Sequence, residues 1–296
     1  MRLKVLELFA GYGSQHMALT RLGIETECHI SEIDKYAIRA YNQLHGETFN
    51  YGDICKIDET KLPQYDLITY SSPCQDFSVA GKQQGGDKDS GTRSSLLWEC
   101  ERIIKVVKPK YLLMENVKNL VGKKHKHNFD AWLKVLDELG YDNYWQVLNA
   151  KDYGIPQNRE RVFVVSIRKD LNETYTFPPK KELKLKFKDF LESEEKVTVI
   201  VSERGTKLKK YTDIATCLLA RDFKGFGNRG MNGVIENNRI RKLTPKEHFR
   251  LMGVKDVEFS KIHDISNSQL YKMAGNSIVV DVLEGVFGKL FFGLGV

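Results

Sequence analysis

Two spacings of apolar residues alternate along the first part of the chain. Short runs at 4–9, 25–30, 65–70, 111–114, 144–148 and 162–167 are apolar and rich in β-branched or aromatic residues, and they predict strands. A further β-prone piece precedes Gly52. Between them apolar residues recur at helical spacing. Helices are predicted from Ser14 to a stop at Gly23; over 33–44, with Tyr36, Ala37, Ala40 and Leu44 on one side; over 94–108, stopped by Pro109; and over 129–139, closed by Gly140. Strands alternating with helices predict an α/β fold around a buried sheet. The pattern breaks after Arg168. Residues 177–210 are crowded with lysine and 220–238 are rich in Gly, Asn and Arg; apolar content survives between them only at 197–201 and 214–219. This stretch reads as a small, irregular, basic lobe. Regular structure restarts at Arg241, where Thr244 at the N-cap, Pro245 at N1 and Glu247 at N3 form a capping box for a helix running to Met252. A last helix is expected over 279–292. The chain thus divides into 1–168, 169–240 and 241–296, the last helix returning to the first part.

Chemistry-bearing residues fall at the ends of these strands. Ala10-Gly11-Tyr12-Gly13-Ser14 joins the first strand to the first helix, and glycine there lets the backbone approach a ligand closely, although such turns also serve packing. A nicotinamide-type G-x-G-x-x-G fingerprint fails, because His16 occupies its last glycine position. Glu32 follows the second strand, where a carboxylate accepts both ribose hydroxyls of an adenosine or is simply a surface acid. Gly52-Asp53-Ile54 offers an acid for an adenine amino group and an apolar cover for its ring, or is only a turn. Ser71-Ser72-Pro73-Cys74-Gln75-Asp76-Phe77-Ser78 sets a thiol at a strand tip, ahead of a polar stretch reaching Arg93. A nucleophile under a lid looks like this, though a free cysteine is more often a buried small hydrophobe. Glu115 arrives at the next strand tip, where burial is costly unless the acid is paired or protonated. Arg159 and Arg161, at alternate positions of an extended segment, face one side and can hold a carboxylate or a phosphate.

Charge sharpens this picture. The formal net charge of +7 suggests a polyanionic partner. Arg221, Lys224, Gly225, Gly227, Asn228 and Arg229 mix donors with flexible backbone, as groove-reading loops do, whereas the lysines of 180–188 read as a solvated face. Five cysteines, odd in number and scattered, and seven histidines without ligand spacing give no disulfide frame and no metal site. His125-Lys126-His127 reads as a surface loop. The opening strand contains Glu7 and is no signal peptide, and the apolar tail over 287–296 is too short to span a membrane. A reduced, cytoplasmic protein is expected.

Phe9-Ala10-Gly11-Tyr12-Gly13, Glu32, Asp53-Ile54, Pro73-Cys74-Gln75, Glu115-Asn116-Val117, Gln157-Asn158-Arg159-Glu160-Arg161, Arg241-x-Leu243-Thr244-Pro245-x-Glu247 and Gly275-Asn276-Ser277 occur in that order. The ordered set resembles the DNA (cytosine-5)-methyltransferase family, of bacterial or phage type, from one end of the chain to the other. Ser14 stands where that family usually has another glycine, and Asp76 where it has proline. The resemblance implies a Rossmann-like S-adenosylmethionine-dependent methyltransferase sheet with a small target-recognition domain in 169–240. It implies that Cys74 attacks carbon 6 of a cytosine flipped out of double-stranded DNA. Glu115 would protonate or hydrogen-bond ring nitrogen 3, Arg161 would contact the base oxygen and steady Glu115, and Arg159 would support the nucleophile and nearby backbone. S-adenosyl-L-methionine would lie on Phe9, Gly11, Gly13, Glu32, Ile33, Asp53, Ile54, Pro73, Leu96, Asn276 and Ser277, with Asn276 bracing the site against the lobe. Gln75, Ser78, Arg93, Arg221, Lys224, Asn228 and Arg229 would touch DNA. The implied protein is a monomer that shares its DNA site with a cognate restriction endonuclease without binding it stably, and it needs no metal. The alternatives are a transfer-RNA cytosine-5 methyltransferase, a catalytically silent DNA-binding relative and a Rossmann oxidoreductase.

Overall fold

The computed structural model describes residues 2–72, 96–192, 198–202, 208–210, 213–226, 231–236 and 239–293. Period-two patterning builds its central sheet. Val5 of β1 (Arg2–Leu8), Leu67 of β4 (Leu67–Tyr70), Leu113 of β5 (Tyr111–Val117) and Val165 of β8 (Glu160–Arg168) pack on one face. Leu6, Ile68, Leu112 and Val164 pack on the other. With β2 (Glu25–Ser31), β3 (Phe49–Asn50) and β6 (Tyr141–Asn149), the sheet has 7 strands in the order β3-β2-β1-β4-β5-β8-β6. The first five in that order run parallel, and β8 runs antiparallel to both of its neighbours. Helices α1 (Ser14–Arg21), α2 (Lys35–His45) and α8 (Val280–Phe292) cover the first face, α3 (Leu97–Val107) and α4 (Lys126–Glu138) the second. Burial on both sides is why these strands read as continuous apolar runs. Helix α8 packs on α1, so the end of the described chain returns to its start.

Several elements begin or end away from their predicted positions, each for a local reason. β5 continues through Glu115 and Asn116 because its pairing with β8 extends to Val117 opposite Arg161. α2 starts at Lys35, since the Asp34 carboxylate accepts hydrogen bonds from the amides of Tyr36 (2.9 Å) and Ala37. Ile33 therefore precedes the helix and is 74% exposed. His125 is no surface residue: α4 opens directly after it, and the packed helix entry leaves it 2% exposed.

Residues 169–192 form only short 3₁₀ turns and irregular chain, with the lysines of 180–188 exposed. Beyond them the lobe is more regular than its composition indicates. β9 (Thr198–Ser202), β10 (Leu208–Lys210), β12 (Met231–Glu236) and β13 (Arg239–Lys242) make an antiparallel sheet in the order β10-β9-β12-β13, and β13 crosses position 240. β11 (Ala215–Thr216) pairs in parallel with β7 (Gln157–Asn158), which ties the lobe to the strand leading into β8. The capping box forms as read: Thr244 Oγ1 accepts from the Glu247 amide at 3.1 Å, and the Glu247 carboxylate accepts from the Thr244 amide at 2.8 Å. Helix α5 (Pro245–Arg250) follows, then α6 (Asp256–Phe259) and α7 (Asn267–Asn276), the last of which no sequence reading anticipated. Among the described residues, no helix is long and apolar enough to cross a membrane.

Candidate active site

A cleft of about 350 Å³ opens at the carboxyl ends of the parallel strands, where open α/β sheets place ligands. Its first wall is the turn after β1. Phe9 leaves the strand with φ +58°, a strained value for a residue with a side chain, and Gly11 follows at φ +59°. The amides there are organised by Glu32, whose carboxylate accepts from Gly11 (2.9 Å), Ile33 (2.8 Å) and Asp34 (2.8 Å). Glu32, Ile33, Asp53 and Ile54 all line the cleft. The exposed Ile33 and the buried Ile54 are apolar, and Asp53 caps the turn that carries Ile54 by accepting from the Cys55 amide at 3.1 Å. Leu96, Asn276 and Ser277 complete this part, with Ser277 Oγ 2.6 Å from Ser14 Oγ.

Two expected cofactor positions behave differently. Gly13 does not line the cleft: its φ is +83°, and a Cβ there would stand 2.5 Å from His45 Nε2 and 2.7 Å from the Tyr41 ring. It shapes the turn by close packing rather than by touching a ligand. Asn276 lines the cleft, yet the brace toward the lobe is its neighbour Gly275, where a Cβ would meet the Ala220 amide nitrogen at 2.1 Å and the Leu219 carbonyl carbon at 2.3 Å.

The floor carries the candidate chemistry. Glu115, 7% exposed, meets Arg161 with Nε 3.1 Å from Oε1. Burial raises the Glu115 pKa, against the opposing pull of Arg161 and Arg159. Next to it Asn116 donates to the Ser72 carbonyl at 3.2 Å, fixing the exit of β4 that leads toward Cys74. Pro73, Cys74, Gln75, Ser78 and Arg93 lie outside the described residues, as do Gly227, Asn228 and Arg229.

Arg159 is 3% exposed and does not line the cleft. Its Nη1 donates to the Leu218 carbonyl (3.1 Å) and Cys217 Sγ (3.3 Å), and its Nη2 to the carbonyls of Gly275 (3.0 Å) and Ser277. In the described residues it fastens the lobe, α7 and the chain entering β8 together. Cys217, which sequence reading passed over, also receives Arg161 Nη2 at 3.9 Å. Only the alternation of Arg159 and Arg161 hinted that a shared acceptor lay opposite them.

In the lobe, Arg221 and Lys224 are exposed, beside Phe223 and Phe226 at 37% and 41% exposure. Their backbone is held rather than flexible: buried Asp222 accepts from the Leu219 amide at 3.0 Å and lies 3.3 Å from His248 Nε2. The histidines also gather where spacing gave no sign. His16 stacks on His45 with ring centroids 4.4 Å apart, and Glu7, His16 and Cys28 bring ligand-type atoms within 4.8 Å of one another behind the glycine turn. Burial holds the His16 pKa at about 4 and pushes that of Glu7 up to about 8, so this group is uncharged near neutrality.

Residues 3–222 and 206–291 match the family model described as C-5 cytosine-specific DNA methylase. The chain is 42% identical to the Type II methyltransferase M2.ScrFI of Lactococcus lactis subsp. cremoris, over 98% of this chain and 99% of that one. It is 35% identical to the Type II methyltransferase M.HhaI of Haemophilus parahaemolyticus, over 95% and 92%. Among solved structures, the Entamoeba histolytica methyltransferase EhMeth superposes with a TM-score of 0.78 at 19% identity, covering 98% of each chain. The S. pombe Dnmt2 methyltransferase superposes at 0.70 and 21% identity, covering 100% of each. At such identities the structural likeness speaks for the fold.

Proposed function

This chain belongs to the C-5 cytosine-specific DNA methylase family, whose reaction is methyl transfer to cytosine in DNA, and from that premise we propose how its residues perform it. The observation that carries the reading is the buried Glu115–Arg161 pair on the floor of a cleft whose far wall is the Glu32-organised turn. S-adenosyl-L-methionine, when bound, supplies an electrophilic methyl group. The cleft suits it: its volume is of the right order for a nucleoside-sized ligand, and Ile33 and Ile54 offer apolar cover for a ring. Asp53 and Glu32 are the acids for amino and hydroxyl groups, and Leu96, Asn276 and Ser277 close the pocket.

Carbon 5 of cytosine is a poor nucleophile. The Cys74 sulfur forms a bond to carbon 6, and the electron pair of the 5,6 double bond moves to carbon 5 and makes it electron-rich. Ring nitrogen 3 must gain a proton or a strong hydrogen bond for this addition, and Glu115 provides it, since burial raises its pKa above the ordinary carboxylate value and favours the protonated form. Arg161 orients Glu115 and contacts the base oxygen. After methylation, loss of the carbon-5 proton restores the double bond and expels Cys74. Neither the thiol nor the cleft can reach a stacked base, so the cytosine is flipped out, with Arg221 and Lys224 on the lobe among the DNA contacts. The Type II names of the relatives support a restriction-modification setting, in which a cognate endonuclease shares the site.

Bisulfite sequencing of DNA from cells expressing the chain should reveal one methylated motif, lost in Cys74→Ala. DNA carrying 5-fluorocytosine should become covalently attached at Cys74 when donor is supplied. Methylation that survives Cys74→Ala, or labelled methyl groups appearing on transfer RNA and not on DNA, would overturn the proposal.

A further inference from the structure

Two guanidiniums converge on one sulfur beside the catalytic floor. Arg159 Nη1 lies 3.3 Å and Arg161 Nη2 3.9 Å from Cys217 Sγ. The sulfur has little freedom to leave, because both flanking residues are pinned by buried amides. Asn232 Oδ1 accepts from the Thr216 amide at 2.8 Å, and Gln157 Oε1 accepts from the Leu218 amide at 3.1 Å. Arg161 in turn holds Glu115 through Nε. A chain of contacts therefore runs from the recognition lobe, through one thiol, to the carboxyl group that meets the base.

We propose that Cys217 is a positioning residue for cytosine methylation: its sulfur balances the paired charges of Arg159 and Arg161, and so sets how strongly Arg161 acts on Glu115. The inference rests on Glu115 as the proton donor. Two like-charged guanidiniums side by side repel, and each pulls the Glu115 carboxyl toward its ionised form. A sulfur that carries negative charge between them would screen that pull and leave Glu115 protonated to higher pH. The electrostatics agree in direction: burial alone would raise the Cys217 pKa, but Arg159 and then Arg161 bring it below the ordinary thiol range. The other charged neighbours do not undo this. Tyr12, from the glycine turn, also feels Arg159 but is raised by its own burial, and Glu160 is paired with Lys118 at 2.9 Å on the outer side of the strand.

The test is a pH–rate series on the full chain with saturating duplex DNA, comparing the parent with Cys217→Ser and Cys217→Asp. Serine keeps the size and the acceptor but not the charge; aspartate restores the charge. In the serine variant the fall of kcat at high pH, where Glu115 loses its proton, should move down by about one pH unit, and aspartate should bring it back. A limb unmoved by serine, or unrestored by aspartate, overturns the proposal. Should a variant fail to fold, the parent decides: iodoacetamide labelling of Cys217, followed peptide by peptide, should show a midpoint below that of the same cysteine in the denatured chain. An equal midpoint overturns the proposal whatever Glu115 does. A Glu115→Gln enzyme with parental rate would instead retire the Glu115 reading while leaving the labelling result to judge Cys217.

Discussion

Glu7 and Glu115 are both buried carboxyls, and their surroundings give them different work. Glu115 has Arg161 at 3.1 Å, whereas neither oxygen of Glu7 has a partner at hydrogen-bonding geometry. Tyr41 and the His16 amide only partly offset the burial that raises Glu7 to about 8. A carboxyl with a folded pKa above its unfolded value binds more protons in the native state. It costs no stability below about 4.5, and it subtracts progressively more as pH climbs through 8. Glu7→Gln should therefore be more stable than the parent above pH 8, on the order of a few kcal/mol, with the advantage vanishing toward pH 4.5. Denaturant midpoints at the two ends of that range check this, and an advantage that does not change with pH would mean that Glu7 titrates alike in the folded and unfolded chain. Residues of this kind mark the limit of sequence reading. Glu32, Asp53 and Glu115 were legible because strand ends in an α/β sheet are ligand positions. Glu7, His16 and Cys28 belong to three successive elements, β1, α1 and β2, and nothing short of the folded sheet with α1 packed on it brings them together.

At the scale of elements, α7 shows what periodicity misses. Gly275-Asn276-Ser277 stands out as a motif, yet it forms the end of a ten-residue helix with Leu270, Tyr271, Met273 and Ala274 buried. Small and polar residues dilute that stripe, and the reason for a glycine in a helix, where it costs about 1 kcal/mol, is tertiary. The Leu219–Ala220 backbone passes where a Cβ would be, and Arg159 takes the Gly275 carbonyl. Gly275→Ala should push the lobe off α7, lower the unfolding free energy by roughly 1–3 kcal/mol, and slow methylation at least tenfold by disturbing Arg159. Gly11→Ala separates strain from crowding. It has open space around its Cβ but φ +59°, so its damage should appear in donor affinity at the turn with the lobe contact intact. Equal loss of donor affinity in both variants would argue against this division. The central sheet, by contrast, was readable nearly strand by strand, since burial on both faces leaves apolar runs that few other arrangements produce. The lobe's antiparallel strands were not, because lysine and glycine mask their pattern.

For the whole molecule, the question is where a surplus of seven positive charges does its work. The 180–188 lysines are the densest run, and their exposure, with Lys180 already paired to Asp152 at 2.9 Å, fits a solvated face. Arg221 and Lys224 are fewer, but they sit on a turn fixed by buried Asp222, with two exposed phenylalanines between and beside them, on the same lobe that Gly275 and Arg159 lock to the cleft. Rigid placement matters more than local charge density here, since on the proposed reading a phosphate contact contributes only if the cation is held at the phosphate while the base is in the cleft. Affinity for duplex DNA measured across salt concentrations distinguishes the two stretches. Each phosphate contact contributes roughly 0.9 to the slope of log affinity against log salt. Arg221→Ala and Lys224→Ala should each flatten the slope by about that amount, and Lys184→Ala should leave it unchanged. If Lys184 carries the slope instead, the DNA path lies along the irregular lysine segment, and the fixed turn at Asp222 serves the lobe's own packing.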